Sequence, residues 1–331
     1  MDNINVLSLF DGMSCGQIAL NRLGIKINNY FASEIDKYAI SATQKNFPNT
    51  IQIGNVKYVS YNNGQLSWGE NKEHSRDVNI DIVYGGSPCQ SFSIAGDGTG
   101  FDGKSKLFWE FVRILKEVKP KYFLLENVKM KKEWRDIISK EMGVEPIEIN
   151  SGLVSAQNRR RLYWTNIPNI EQPKDKNIFL KDILEKNITK GVKVNFDENG
   201  IFKYTAPNKK NVILEDKFKP PYTIYETRTA EGRKERKRIR ELTGIDTTPR
   251  SAKHKEYRFN KSYKANCLLT VQSELNNVID ENYMYRYYTN KEYCRLQTVP
   301  DNYFDGLNIS DNQIRKILGN GWTVDVISHI F

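Results

Sequence analysis

The sequence predicts an α/β fold, with a doubly wound, mostly parallel sheet covered by helices and a second, smaller domain. Two observations predict this architecture. Short apolar, β-forming runs alternate with helical patterns in the first half of the chain, which is typical of βαβ units. From about Asn169 the sequence becomes charged, Asn-rich and poorly periodic, which indicates a separate unit with long loops.

The first series of units lies before residue 55. We expect strands at INVLSLF (4–10), INNYFASE (27–34) and TIQIG (50–54), and helices at GQIALNRLG (16–24) and from Asp36 to about Asn46. Because strand and helix alternate, the three strands should lie parallel in one sheet.

A second series follows, with strands at IDIVYGG (80–86) and YFLLENV (122–128) on either side of a helix from about Ser105 to Val118. Pro120 ends that helix. Six apolar residues recur in it at helical spacing, and we expect most of them to face the core: Leu107, Phe108, Phe111, Ile114, Leu115 and Val118.

The charge of the chain suits a polyanionic partner. Its 331 residues fit one large domain or two, and 50 Lys and Arg against 40 Asp and Glu give a net charge of +10 and a pI near 9.2. A dense basic stretch, GRKERKRIRELTGIDTTPR, occupies residues 232–250. Its arginines are Arg233, Arg236, Arg238, Arg240 and Arg250. Nucleic acid and a merely basic, solvated helix face both remain open interpretations.

Cysteine usage and the amino terminus favour a reducing compartment. The four cysteines (Cys15, Cys89, Cys267, Cys294) show no paired spacing, so neither a disulfide framework nor a metal site is indicated. The amino terminus lacks a signal-peptide pattern, and no apolar run approaches the roughly 18 to 20 residues of a membrane span. These features predict a soluble, cytoplasmic protein.

Two features near the first strands favour a nucleoside cofactor. The segment from Phe10 to Gly16 follows the first strand and opens a helix, where glycines let a ligand approach the backbone and free N–H groups can bind it. A tight structural turn would look the same. Glu34, however, ends the second strand, where doubly wound folds often place an acid on a ribose hydroxyl.

Cys89 is the candidate nucleophile. It follows a buried strand in the segment Gly85 to Gln90, at the strand's carboxyl end, where ligands of open α/β sheets gather. A lone cysteine is more often an inert buried thiol, and a reactive one must first become a thiolate. The neighbours Pro88 and Ser91, and a Gly-rich loop that could close as a lid (IAGDGTGFDGKS, 94–105), favour the reactive role.

Two further segments carry charged groups. Glu126 lies at the carboxyl end of its strand, although an exposed surface acid is the commoner reading of such a residue. In the run from Gln157 to Arg161, alternate residues should share one face of a strand, which places Gln157, Arg159 and Arg161 together. A solvated strand would explain one arginine, whereas several favour an anion or a base nearby.

Taken together and in order, these motifs resemble the C5-cytosine DNA methyltransferase family. The set comprises F-x-G-x-x-x-G, the acid after the second strand, the Pro-Cys loop, Glu-Asn-Val, Q-x-R-x-R and a late Gly-Asn-Gly. It spans Val6 to Phe331 and is densest from Gly85 to Val128; its opening at Phe10 is closest to the animal de novo type and to many phage enzymes. The resemblance implies a Rossmann-like, S-adenosylmethionine-dependent methyltransferase fold.

The resemblance also implies cofactor-binding residues. Phe10 would pack on the adenine, Glu34 would bind the ribose, and the Gly12–Gly16 turn would cradle the methionine part. The full implied set is Phe10, Asp11, Gly12, Met13, Gly16, Glu34, Ile35, Asn55, Val56, Leu107, Asn320, Gly321 and Trp322. Three departures stand out: Ser8 replaces an acid, Asn55 replaces an Asp, and residues 265–270 (ANCLLT) match the family's ninth motif only loosely.

For catalysis the resemblance implies that Cys89 attacks carbon 6 of a flipped-out cytosine. Glu126 would hold the ring N3 and the exocyclic amine, Arg161 would hold O2, and Arg159 would brace the Cys loop or a phosphate. The loop from Ser87 to Gly100 would close over the base. DNA contacts are expected from Ser87, Gln90, Ser91, Gln157, Arg233, Arg236, Arg238 and Arg240.

The implied organisation is a catalytic domain of residues 1–185 and 305–331, with a target-recognition domain and hinge at 186–304. The partner is double-stranded DNA, the chain is expected to be a monomer, and a cognate restriction endonuclease is possible. Two rivals remain: an enzyme of the same fold acting on transfer RNA, whose Cys-Phe-Thr segment is absent here, and a DNA-binding regulator without activity.

Overall fold

The computed structural model describes residues 3–88, 104–193, 202–204, 210–212, 220–221, 223–243, 255–260, 262–270 and 277–331. Cys89, Gln90 and Ser91, which the sequence analysis assigns to the site, lie outside the described residues, as does most of the loop predicted to close over the base.

The described strands are β1 (Ile4–Leu9), β2 (Ile27–Ser33), β3 (Ile51–Gln52), β4 (Ser60–Asn62), β5 (Gln65–Trp68), β6 (His74–Asp77), β7 (Ile82–Gly85), β8 (Tyr122–Val128), β9 (Ile147–Asn150), β10 (Arg160–Thr165), β11 (Val192–Lys193), β12 (Phe202–Tyr204), β13 (Lys210–Val212), β14 (Ile224–Arg228), β15 (Lys255–Phe259), β16 (Asn277–Ile279) and β17 (Met284–Tyr287). The helices are α1 (Cys15–Arg22), α2 (Lys37–Asn46), α3 (Phe108–Val118), α4 (Lys132–Met142), α5 (Leu180–Ile183), α6 (Ala230–Thr243), α7 (Asn290–Leu296), α8 (Asp311–Asn320) and α9 (Val324–Ile330).

A seven-stranded sheet in the order β3-β2-β1-β7-β8-β10-β9 forms the centre of the protein. Its pairs from β3 to β8 are parallel, and β10 runs antiparallel to both β8 and β9. The predicted doubly wound, mostly parallel α/β sheet is therefore confirmed. Because β10 is reversed, its amino-terminal end reaches the edge where β1, β2, β7 and β8 end, and Arg161 lies opposite Val128.

Helices cover both faces of the sheet because the buried strands send alternate residues to opposite sides. On β1, Val6 joins the cluster containing α1, α8 and α9, whereas Leu7 and Leu9 join the cluster containing α3 and α4. The apolar stripe of α3 is core as predicted, since Phe108 and Phe111 are fully buried. The α-helix begins at Phe108, later than expected, because residues 104–107 form a 3-10 turn.

An antiparallel sheet of β4, β5 and β6 lies between β3 and β7 in the chain and was not predicted. Its first turn is the dipeptide Asn63-Gly64, where both residues have positive φ angles (48° and 83°). Asn-Gly at such a turn is a strong hairpin signal, because both residues tolerate the left-handed conformation.

The smaller unit contains a sheet of β12, β13, β15 and β14, together with α6. Residues 290–304, which the sequence analysis placed in that unit and its hinge, instead pack in the core beside α1 and α9. Tyr303 donates a hydrogen bond to the Met13 carbonyl at 2.6 Å, and Tyr293 is fully buried. This segment therefore shares the main core, as do Ala265, Leu268, Val278 and Tyr288.

A buried ion-pair network fixes the segment that leads into α7. Arg286, whose side chain is 2% exposed, pairs with Asp280 at 2.9 Å and with Glu292 at 2.8 Å. Glu292 also accepts the backbone N–H of Glu185 at 2.8 Å, which ties α7 to the end of α5.

Replacing Arg286 by Met should lower the free energy of unfolding by about 3–5 kcal/mol, because it leaves two buried carboxylates without a cation. Urea unfolding followed by circular dichroism measures the change. In the matched control Arg238→Met, an exposed pair with Glu235 is lost, and the change should stay below about 1 kcal/mol. Equal losses in the two variants would contradict the structural role of the Arg286 network.

Candidate active site

The turn after β1 is held in an uncommon backbone conformation. Phe10, Gly12 and Ser14 have φ angles of 58°, 61° and 60°. For Phe and Ser this left-handed conformation costs of the order of 1–3 kcal/mol, so surrounding contacts must maintain it. The Gly12 N–H donates to Glu34 Oε2 at 2.8 Å, which joins this turn to the end of β2.

Asp11 is the centre of those contacts. Its carboxylate accepts hydrogen bonds from Ser8 Oγ at 2.5 Å, from Tyr30 Oη at 2.6 Å and from the hydroxyl of Ser14. Burial raises the pKa of this carboxyl to about 6, although the three hydroxyl donors oppose the shift. The side chain of Asp11 therefore faces into the fold and maintains the turn. Ser8, noted above as a departure from the family, is one of its donors.

The backbone beside this turn, at the ends of β1, β2 and β3, is open, and we refer to this region as the cleft. A side chain at Gly12 or Gly54 would meet no atom within 4 Å, and Ile35 is 73% exposed. Glu34 is half-buried, and its other oxygen accepts the N–H of Ile35 at 2.7 Å. A carboxylate beside an exposed apolar side chain and accessible backbone fits the ribose and base of a nucleoside cofactor.

Other predicted cofactor residues surround this cleft in different ways. Asn55 Oδ1 accepts the N–H of Lys57 at 3.1 Å, Leu107 is half-buried before α3, and Asn320 is exposed at the end of α8. Met13 and Val56 are only 1% and 4% exposed. The side chains of these two therefore support the turn from the core and do not line the cleft.

Glu126 and Arg161 form an ion pair at the same edge of the sheet. Arg161 Nε lies 3.0 Å from Glu126 Oε1, and the two side chains are 14% and 10% exposed. The pair arises from the register of β10 against β8, which sets Arg161 opposite Val128 and thus near Glu126. A nearly buried carboxylate and guanidinium together offer acceptors and donors to one planar ligand.

Trp322 connects this pair to the turn between α8 and α9. Its indole Nε1 donates to Glu126 Oε2 at 3.1 Å, and its ring lies 5.7 Å from the ring of Tyr84. A Cβ on Gly86 would lie 2.9 Å from that nitrogen. The backbone that leads toward Pro88 and Cys89 therefore passes directly beside Glu126.

Arg159 contacts the backbone between α8 and α9. It is 3% exposed, and Nη2 donates to the carbonyls of Gly321 at 2.9 Å and Gly319 at 3.3 Å. Among the described residues, Arg159 braces the late Gly-Asn-Gly turn.

Gln157 and Ser87, which were expected to contact DNA, are buried as well. Gln157 has no exposed surface, and its amide bonds to Gln297 Oε1 at 3.2 Å and to the Leu268 N–H at 2.9 Å. Ser87 is 4% exposed and accepts from Asn127 Nδ2 at 3.1 Å. In this structure the polar groups of both residues are used inside the protein, and their expected contacts with DNA stay predictions.

Cys267 was missed as a site residue. Its Sγ accepts from Arg159 Nη1 at 3.4 Å and from Arg161 Nη2 at 3.5 Å. Burial raises the pKa of this thiol, but the two guanidinium groups outweigh it, so the pKa is lowered. The predicted shared face of Gln157, Arg159 and Arg161 thus meets residues 265–268, more than 100 positions later in the chain.

Among the described residues, no group of three or more His, Cys, Asp and Glu side chains could hold a metal ion. Within the same part of the chain, no helix has the length and apolar character needed to cross a membrane.

The raised pKa of Asp11 predicts a pH dependence of stability. Because the folded protein holds this proton more tightly than the unfolded chain, the contribution is full below pH 3.8 and is lost as pH rises through about 6. The Asn in Asp11→Asn cannot ionise. The free energy of unfolding of this variant, relative to that of the wild type, should therefore increase by on the order of 2 kcal/mol between pH 4 and pH 7.

Urea unfolding at several pH values measures this difference. The exposed Asp136, whose pKa is lowered by Lys132 and Arg135, provides a control, because Asp136→Asn should change in the opposite direction with pH. A constant difference between wild type and Asp11→Asn would show that Asp11 titrates normally.

Thiol reactivity tests the environment of Cys267. In the native protein, iodoacetamide should alkylate Cys267 with an apparent pKa below the ordinary value of about 8.5, because the thiolate is the nucleophile. Cys15 and Cys294, whose pKa burial raises to about 12, should react only after unfolding. Peptide mass mapping across a pH series resolves the three sites, and a midpoint for Cys267 at or above 8.5 would contradict the structure.

Comparisons show that the chain has known relatives. The orphan methyltransferase M.SPRI of Bacillus phage SPR is 32% identical over 235 residues, which cover 65% of this chain and 50% of that protein. This chain thus spans about half the length of the phage relative. The type II methyltransferase M.HaeII of Haemophilus aegyptius is 29% identical over 348 aligned positions, covering 100% of this chain and 92% of the relative.

The fold has solved counterparts. The methyltransferase EhMeth of Entamoeba histolytica aligns with a TM-score of 0.60 at 18% identity, over 99% of this chain and 97% of that one. A sequence model described as C-5 cytosine-specific DNA methylase matches residues 4–142 and 150–331, which together are almost the whole chain. With the strand-end cleft, the Glu126–Arg161 pair and this match in agreement, the chain belongs to the C-5 cytosine-specific DNA methylase family.

Proposed function

We propose that this protein is a DNA (cytosine-5-)-methyltransferase that uses S-adenosylmethionine. The observation that supports this most is the Glu126–Arg161 pair, which lies beside the backbone leading to Cys89 and is joined through Trp322 to the cofactor cleft. A carboxylate and a guanidinium 3.0 Å apart offer the acceptors and donors that the N3, exocyclic amine and O2 edge of cytosine requires.

Carbon 5 of cytosine is a poor nucleophile, so the reaction begins with addition of the Cys89 thiolate to carbon 6. Glu126 holds the ring N3 and the exocyclic amine as charge develops, and Arg161 holds O2. S-adenosylmethionine, when bound, would supply an electrophilic methyl group to carbon 5; its S–CH3 bond breaks and S-adenosylhomocysteine is the leaving group. The carbon 5 proton then leaves, and the thiolate departs as the double bond between carbons 5 and 6 reforms.

Cofactor binding is assigned to the cleft at the ends of β1, β2 and β3. Glu34 would hold the ribose, while Phe10 and Ile35 would pack on the base. The half-buried Asn55 still has an oxygen lone pair for the adenine amino group after it accepts the Lys57 N–H. Asp11 contributes by maintaining the turn.

Double-stranded DNA is the proposed substrate, and target choice is assigned to the small domain. In α6, Arg233, Arg238 and Arg240 are exposed and Arg236 is half-buried, which suits contacts with phosphates or guanine. Arg238 also pairs with Glu235 at 2.7 Å, as a solvated helix face would. We propose a monomer acting in the cytoplasm of a bacterial or phage-infected cell, either with a cognate endonuclease or as an orphan enzyme.

The test is transfer of label from methyl-labelled S-adenosylmethionine to duplex DNA, with bisulfite sequencing of DNA from cells expressing the protein. Wild type should label DNA and protect cytosines at one sequence, and Cys89→Ser should reduce labelling by at least about a thousandfold. The matched control Cys294→Ala alters a buried thiol in α7 and should retain activity.

Each alternative has its own result in this assay. Labelling of transfer RNA with none of duplex DNA would favour the RNA-modifying rival. Binding of DNA without labelling and without protected cytosines would favour a regulator and overturn the proposed reaction.

A further inference from the structure

The two oxygens of Glu126 have different partners, one from each side of the site. Oε1 pairs with Arg161 Nε at 3.0 Å, and Oε2 accepts from Trp322 Nε1 at 3.1 Å. The terminal torsion of a glutamate is soft, so one donor alone leaves the carboxylate plane free to rotate. Two donors on separate oxygens fix that plane, and each oxygen keeps a lone pair for a ligand.

The indole of Trp322 is itself held by its own backbone. The preceding carbonyl, that of Gly321, accepts from Arg159 at 2.9 Å and from Gln297 at 3.1 Å. The Trp322 N–H contacts the sulfur of Cys15 at the start of α1. This contact is made by the backbone N–H of Trp322, so the backbone that carries the indole is anchored to α1.

Gly86 packs against the hydrogen bond between Trp322 Nε1 and Glu126 Oε2. A Cβ there would lie 2.9 Å from Trp322 Nε1 and 3.1 Å from Glu126 Oε2, closer than side chains normally approach. A side chain at this position would push the indole and the carboxylate apart. The absence of a side chain is thus a condition for the bond.

We propose that Trp322 is a positioning residue for Glu126. Its indole N–H links the orientation of the carboxylate that holds the target base to the position of the Gly321–Trp322 backbone, which is anchored to α1. The inference rests on the proposed function, because Glu126 is taken as the group that binds cytosine. Trp322 acts through Glu126 and supplies no group to the reacting atoms.

The variant Trp322→Phe tests this role, because it keeps an aromatic ring beside Tyr84 and removes only the N–H. We expect kcat for methyl transfer to fall about tenfold, the effect of losing one hydrogen bond to a charged group. The Kd for S-adenosylmethionine, measured by calorimetry without DNA, should change by less than about twofold. If Trp322 only stabilised the fold, Trp322→Phe would weaken the binding of S-adenosylmethionine as well as lower kcat.

Trp164→Phe is the matched control. Trp164 is fully buried and donates its indole N–H to Ser139 Oγ at 3.0 Å, between β10 and α4. Its replacement removes an equivalent bond away from the site, so kcat should stay unchanged. A similar loss of kcat in both variants would overturn the positioning role.

Gly86→Ala supplies an independent test, since its methyl group would separate Trp322 from Glu126. We expect a similar fall in kcat, and the double variant with Trp322→Phe should be no slower than either single variant, because both remove the same bond. If the fold-decreases in kcat of the two single variants multiply in the double variant, the two substitutions do not act on the same hydrogen bond, and the proposal is contradicted. If wild type methylates DNA while Trp322→Phe keeps full kcat, this inference fails and the proposed function stands; if wild type transfers no methyl group, the proposed function itself fails.

Discussion

Glu126 and Arg161 are both almost withdrawn from water, so each needs the other. Removing either would leave a nearly buried charge without its partner, which is far more costly than losing an exposed ion pair. The pair exists because β10 runs against the direction of its neighbours and brings its first residues to the edge where the parallel strands end. The reversed strand therefore decides where the Glu126–Arg161 pair lies, and residues 265–268 and the turn between α8 and α9 are arranged around that pair.

The polar contacts around that pair form a closed circuit. From Glu126 it passes through Arg161 to Cys267, then through Arg159 to the carbonyl of Gly321, and through Trp322 back to Glu126. No member can shift without disturbing two neighbours. Such connected networks hold a site rigid when every member is satisfied.

Local patterns were sufficient to predict the alternating strands and helices, the acids at strand ends and the shared face of Gln157, Arg159 and Arg161. Alternation tells which residues point the same way, but not what lies opposite them. Arg159 and Gln157 meet carbonyls and amides contributed by residues far away in the chain, so their burial could not be predicted. Cys267 could not be predicted either, because its arginine partners lie more than 100 positions away in the chain. The Asn63-Gly64 turn, in contrast, could have been predicted from the dipeptide itself.

The chain segments that precede β11 and follow β15 are held side by side. The Leu180 N–H donates to the Tyr263 carbonyl at 2.9 Å, and the buried ammonium of Lys264 contacts the carbonyls of Ile178 at 2.7 Å and Gly152 at 2.6 Å. The chain thus leaves and returns at neighbouring points, and the closure entropy of the intervening stretch grows only slowly with its length. Segments between these contacts can therefore lengthen, shorten or be exchanged by recombination while the Glu126–Arg161 pair keeps its geometry, so this part of the chain can change without rebuilding the main sheet.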